Sequence, residues 1–116
     1  MDCEYPLDKK ESRDNVRLYK NLLVGDQIRY KKYQVIWKLK HNKIQLGVYI
    51  ILLAPDPQNL MEIIPASLLR QSYYQRQELF VLGIAGSKEE AYEIARQLIE
   101  EVYRHTGGTA LREYIQ

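Results

Sequence analysis

The chain has 116 residues, of which 46% are hydrophobic and 28% charged, a composition typical of one globular domain. No run approaches the roughly 18 consecutive apolar residues of a membrane span, and the first residues lack the apolar core of a secretory signal. The single cysteine, Cys3, excludes an internal disulfide and cannot form a metal site by itself. We therefore expect a cytoplasmic single domain over residues 1–116, with residues 1–7 frayed, no cofactor and no membrane association.

The net charge of +2 is unevenly distributed along the chain. Residues 26–54 carry six basic side chains and one acidic side chain, a local charge of +5. Residues 87–116 carry four basic and six acidic side chains, a local charge of −2. Because a basic segment favours anionic partners, this asymmetry is the strongest electrostatic indication in the sequence.

The first predicted element is a helix between Asp8 and Val24. Val16, Tyr19, Leu22 and Leu23 recur at spacings of three and four, which is typical of an amphipathic helix. Asp8 is its candidate N-cap, and Gly25 is expected to end it in the left-handed conformation.

Residues 26–54 are predicted to form a lysine-rich β-hairpin. One side of its first strand would carry Tyr33, Val35, Trp37 and Leu39, and the other side Lys32, Lys38 and Lys40. This period-two alternation is typical of a half-buried edge strand. Asparagine tolerates positive φ, so His41–Lys43 is expected to form the turn. The segment Ile44–Leu53 ends in a continuous apolar run, which predicts a central strand buried on both faces.

The C-terminal half supplies the remaining elements. We predict a short strand at Leu60–Ile64, a short helix at about Ser67–Gln75 and an apolar strand at Leu79–Ala85. The final helix is marked most clearly, because Ser87 and Glu90 form a capping box before a broad apolar stripe. Gly107 or Gly108 is expected to end this helix.

Together these elements predict an α+β fold, a small single domain with an antiparallel three- to four-stranded sheet, a long C-terminal helix and a shorter N-terminal helix. Two strands that are apolar on both faces need cover on both faces. Because the apolar stripe of the N-terminal helix is narrow, part of one face would remain open. A homodimer interface would supply the remaining cover.

The lysine-rich hairpin interleaves cations with aromatic rings, a combination that contacts phosphates and stacks on bases. The candidate nucleic-acid-binding residues are Arg29, Lys31, Lys32, Lys38, Lys40, Lys43, Arg70 and Arg76. The competing interpretation is a solvated strand whose lysines prevent edge-to-edge aggregation, with Trp37 in the core.

The turn from Gly83 to Ser87 leads into a helix N-terminus, so Gly86, Ser87 and Lys88 are candidates for anion or nucleotide binding. The motif lacks the Walker and dinucleotide patterns, and the glutamates that follow already place negative charge there. A strand-to-helix turn explains the same residues.

Ten tyrosines are many for a chain of this length, and tyrosine suits interfaces. The candidates for a contact surface are Tyr73, Tyr74, Tyr92 and Tyr103. Neither histidine has a cysteine, serine elbow or aspartate at catalytic or metal-ligand spacing, so no catalytic or metal site is predicted. The sequence most favours a non-catalytic protein-interaction or self-association domain. Nucleic-acid binding is the alternative, and anion binding at the glycine turn is the third hypothesis.

Overall fold

The computed structural model describes residues 15–54, 60–108 and 111–115. Within these ranges the chain forms the strands β1 (Val16–Val24), β2 (Tyr49–Leu53), β3 (Met61–Pro65) and β4 (Leu79–Ala85). The α-helices are α1 (Lys32–Lys40), α2 (Ser72–Gln75), α3 (Lys88–Thr106) and α4 (Leu111–Ile115), and 3-10 helices over Asp26–Lys31 and Ala66–Arg70 precede α1 and α2. The predictions for residues 1–7, including Cys3, and for Asp8 lie outside the described ranges.

The four strands form one sheet in the order β1-β4-β2-β3. β1 runs parallel to β4, whereas the other two pairs are antiparallel. The sheet is therefore mixed, whereas the sequence predicts an antiparallel one, and the α+β class is confirmed. β2 and β4 occupy the centre of the sheet, as their apolar runs predict. Among the described residues, none of the helices combines the length and apolarity needed to traverse a bilayer.

Helices cover both faces of the sheet. On one face the 3-10 helices and α1 pack against the strands, and their buried residues are Ile28, Val35, Leu39, Ala66 and Leu69. On the other face α3 and α4 pack, and their buried residues are Ala91, Ile94, Leu98, Val102, Leu111 and Ile115. The expectation of a homodimer rested on an open face, but in the described residues helices of the same chain lie on both faces.

Residues 16–24 form an edge strand, so the predicted N-terminal helix is wrong there. The helical spacing arises because β1 carries apolar residues on both faces of the sheet, and residues three apart in a strand lie on opposite faces. Val16, Leu18, Leu22 and Val24 pack on one face, and Tyr19 and Leu23 pack on the other. This alternation continues through an irregularity in the pairing with β4, where the four residues between Leu18 and Leu23 oppose a single residue of β4.

Residues 32–40 form a helix, so the predicted edge strand and its hairpin are wrong as well. Val35 and Leu39 are buried, whereas Tyr33 and Trp37 are exposed. Buried residues four apart lie one helical turn apart, so one side of α1 packs on the sheet. The strand prediction failed because it placed the aromatic rings inside, although large apolar side chains also occur on protein surfaces.

Three local predictions about turns and caps are confirmed. The turn after α1 contains Asn42 with a φ of 57°. At the start of α3 the Glu90 backbone N–H donates to the Ser87 hydroxyl oxygen at 3.1 Å. Gly107 ends the same helix in the left-handed conformation, with a φ of 76°. Turns and helix caps depend on residues that are close together in the sequence, which explains why the sequence alone predicts them.

A hydrogen bond joins α4 to α3. The Tyr114 hydroxyl donates to Glu101 Oε2 at 2.7 Å, and this bond is the main cause that raises the pKa of the Tyr114 hydroxyl above its ordinary value. A pKa raised in the folded state stabilises that state at pH values below the unfolded pKa of about 10. The contribution is lost as the pH rises through the folded-state pKa.

We therefore expect Tyr114→Phe to lower the free energy of unfolding near neutral pH, where the hydroxyl is protonated and donates its proton. Above about pH 10 the difference between wild type and variant should shrink, because the wild-type hydroxyl ionises beside a carboxylate. Urea unfolding followed by circular dichroism over a series of pH values measures this difference. Tyr103→Phe, on the exposed side of α3, is the control. A difference that stays constant above pH 10 would contradict the assignment.

Candidate functional site

The exposed side of α1 carries aromatic rings and a lysine together. With 100° between successive residues, Tyr33, Trp37 and Lys40 project away from the side that carries the buried Val35 and Leu39. The sequence predicts that the rings and the lysines lie on opposite sides of a strand. In the helix, Lys40 lies on the same side as the rings, and the Lys32 ammonium group lies beside the Tyr33 ring.

The preceding 3-10 helix extends this surface by one turn. Tyr30 is 83% exposed and Tyr33 is 79% exposed, and Trp37, the sole tryptophan of the chain, is 51% exposed. Three large exposed rings within eight residues of sequence make this part of the surface a candidate contact surface. We name it the aromatic–basic surface, and it consists of Tyr30, Lys31, Lys32, Tyr33, Trp37 and Lys40.

Each ring of the aromatic–basic surface has a cationic or planar neighbour. The Lys31 Nζ lies 5.9 Å from the centroid of the Tyr30 ring, and the Lys32 Nζ lies 5.3 Å from that of Tyr33. The His41 ring stacks on Trp37, with centroids 4.1 Å apart and an angle of 18° between the planes. These distances place positive charge beside flat apolar surface, which suits a partner that is both anionic and aromatic.

The charge asymmetry of the sequence becomes an asymmetry between the two faces of the sheet. α1 contains no acidic residue, and Asp26 in the preceding 3-10 helix is paired with Arg29 at 2.6 Å. On the opposite face, α3 carries five glutamates against three lysines and arginines. The helix α1 is therefore basic and the helix α3 is acidic, and we name the sides of the molecule that bear them the basic face and the acidic face.

Most of the other predicted cations lie on the same basic face. Lys38 and Lys43 flank the C-terminal end of α1 and are partly exposed. Gln75 Nε2 donates to Asn42 Oδ1 at 3.1 Å, which brings α2 next to the turn after α1. The exposed Arg70 and Arg76 bracket α2 and so extend the basic face.

The four tyrosines proposed as one contact surface lie on both faces of the sheet. Tyr73 and Tyr74 form an edge-to-face pair on α2, with centroids 4.9 Å apart, and Tyr74 packs against the core beneath α1. Tyr92 and Tyr103 are exposed on α3, across the sheet. The four do not form a single surface. The rings that do cluster are those of α1, and the four-residue spacing of its two buried residues is the sequence signal that could have indicated them.

At the glycine turn the position expected for a phosphate is occupied by the carboxylate of Glu90. Its Oε1 accepts from the Gly86 backbone N–H at 2.8 Å, and its Oε2 accepts from the Gln27 backbone N–H at 3.0 Å. Gly25 is extended, with a φ of −67° instead of a left-handed value, and a Cβ there would lie 2.1 Å from the same carboxylate. The backbone N–H groups of the turn thus bind the Glu90 carboxylate of the same chain. This carboxylate links the start of α3 to the start of the first 3-10 helix.

Three observations concern the side chains that a metal or catalytic site would use. The described residues contain no group of three or more histidine, cysteine, aspartate or glutamate side chains placed to hold a metal. His105 stacks on Tyr114 with centroids 5.6 Å apart. Glu62 Oε1 is buried on the edge strand β3 without a hydrogen-bond partner, and burial followed by the charge of Glu62 raises the pKa of Tyr74.

No protein-family model, no curated protein and no solved structure matches this chain.

Proposed function

We propose that the chain is a non-catalytic nucleic-acid-binding protein that uses the aromatic–basic surface. The observation that carries the proposal is that Tyr33, Trp37 and Lys40 share the exposed side of a helix without a carboxylate. Lysines there can neutralise phosphates, and the exposed rings can contact bases. The acidic face across the sheet would repel the same partner and so orient the protein on it.

A salt titration tests the proposal. We expect binding to a fluorescently labelled oligonucleotide at low ionic strength, with an affinity that falls linearly on a log–log plot against salt. Lys32→Glu with Lys40→Glu should reduce the slope by roughly 1.4, since each single-strand phosphate contact contributes about 0.7. Fluorescence anisotropy measures the affinity, and circular dichroism checks that the variant is folded.

Lys88→Glu with Arg104→Glu is the matched control. It changes the net charge by the same amount, but both residues belong to α3 on the acidic face. The control should bind nearly as well as wild type. Absence of binding at low salt would refute the proposal. An equal loss of affinity in both double variants would refute the placement on α1, because binding would then follow net charge alone.

Self-association and binding of another protein stay predictions. The like charges of the aromatic–basic surface would repel each other in a symmetric dimer built on it, so a dimer is expected to use another surface. Light scattering at micromolar concentration would detect a particle of twice the 13.7 kDa chain mass.

A further inference from the structure

We infer that the aromatic–basic surface binds an unpaired nucleic-acid strand, whose bases stack on Tyr30, Tyr33 and Trp37. The inference rests on the proposed function and specifies the state of the nucleic acid that the surface binds.

The first reason is the spacing of the rings. Tyr33 and Trp37 are four residues apart in α1, a rise of about 6 Å along the helix axis. Tyr30 lies three residues before Tyr33, in the 3-10 helix that precedes α1. In a duplex, successive bases of one strand rise by only about 3.4 Å along the helix axis. Successive bases can therefore reach successive rings only from a strand that is extended beyond duplex spacing.

The second reason is the chemistry of the exposed side. Duplex sequence is read through hydrogen bonds to base edges in a groove, most often by arginine, asparagine or glutamine. The outward side chains of the aromatic–basic surface are mainly rings and ammonium groups. A duplex would satisfy the ammonium groups through its phosphates but would leave the rings in water, because its base faces are already stacked on each other. An unpaired strand can contact the ammonium groups with its phosphates and stack its bases on the rings.

The third reason is the environment of Trp37. One face of its indole is stacked on His41 at 4.1 Å, which holds the ring in place, and half of the side chain is nevertheless exposed. A ring fixed in this way loses little side-chain freedom when a base stacks on it, so less of the stacking free energy is offset by ordering. The lysines beside Tyr30 and Tyr33 lie within about 6 Å of the rings, where they can reach the phosphates of the stacked nucleotides.

The test compares three probes with the intact chain: an oligothymidylate of about twelve nucleotides, a duplex of the same length, and vesicles of phosphatidylcholine and phosphatidylserine. The oligothymidylate should bind at least tenfold more tightly than the duplex and should quench the fluorescence of Trp37. Trp37→Ala and Tyr33→Ala should each lower its affinity roughly tenfold or more, from about 1–3 kcal/mol per stacked base. Both should leave duplex binding unchanged. Trp37→Phe should retain part of the affinity, because phenylalanine still offers a ring.

Tyr103→Ala is the matched control, since Tyr103 is 61% exposed on the opposite face of the sheet. It should leave all three measurements unchanged. Equal affinity for single strand and duplex, with no effect of the ring variants but a loss in the Lys32/Lys40 variant, would overturn stacking and keep the proposed function. Absence of binding to either nucleic acid would overturn both. A blue shift of Trp37 with the vesicles, without quenching by the oligothymidylate, would assign the surface to membranes and overturn both.

Discussion

Leu39→Ala is expected to lower the free energy of unfolding by about 3 kcal/mol, whereas Trp37→Ala should lower it by less than about 1 kcal/mol. The Leu39 side chain is 3% exposed and belongs to the core between α1 and the sheet. Its truncation leaves a cavity that the surrounding core can fill only partly. Half of Trp37 is exposed to water, and its contact with His41 lies at the surface.

Urea unfolding followed by circular dichroism measures both changes, and the pair discriminates between the two possible conformations of residues 32–40. In a half-buried strand Leu39 and Trp37 would lie on the same side, and Trp37→Ala would then cost about 3–5 kcal/mol, as core aromatic truncations do. Two equally large losses would therefore contradict the helix. They would also remove the exposed ring on which the proposed function depends.

Gly25→Ala is expected to destabilise the wild-type chain by about 2 kcal/mol and to be neutral or slightly stabilising when Glu90 is alanine. In the wild type the new Cβ would lie 2.1 Å from the Glu90 carboxyl group. The flexible carboxylate can move away, but it then gives up its hydrogen bonds to the backbone N–H groups of Gly86 and Gln27. Loss of these charge-assisted caps accounts for the cost.

In the Glu90→Ala background those bonds are already absent, and the carboxyl group that the Cβ would meet is absent too. Gly25 has φ −67° and ψ 147°, values that alanine adopts readily. The substitution should then stabilise by up to about 1 kcal/mol, because alanine restricts the unfolded chain. A double-mutant cycle by urea unfolding measures the coupling. Equal costs of Gly25→Ala in both backgrounds would contradict the role of the Glu90 carboxylate.

Local signals in the sequence predict the C-terminal half well. The apolar run of β4, the capping box of α3 and the left-handed Gly107 all depend on residues within a few positions of each other. The two wrong assignments fall in the first half, where periodicity is ambiguous. In β1 the apolar residues on both faces of the strand mimic helical spacing, and in α1 the exposed rings mimic the alternation of a strand.

The candidate site was predictable in its composition but not in its geometry. All lysines and rings of the aromatic–basic surface lie between residues 29 and 43 of the sequence. The preference of this segment for an anionic partner follows from its positive charge alone. Whether Trp37 is buried depends on which side of its segment packs on the sheet. That choice is a property of the tertiary structure, because it is decided by which side chains fill the space over β2 and β4.

The α+β class, the central strands, the long C-terminal helix and the uneven charge could all be predicted from the amino-acid sequence. These follow from burial patterns, caps and composition, which are local or additive properties. Only the tertiary structure decided the parallel pairing of β1 with β4, the cover on both faces of the sheet and the occupation of the glycine turn by Glu90. It also brought Lys40 onto the side of α1 that carries the exposed rings. Each of these depends on contacts between residues far apart in the chain, where packing outweighs local preference.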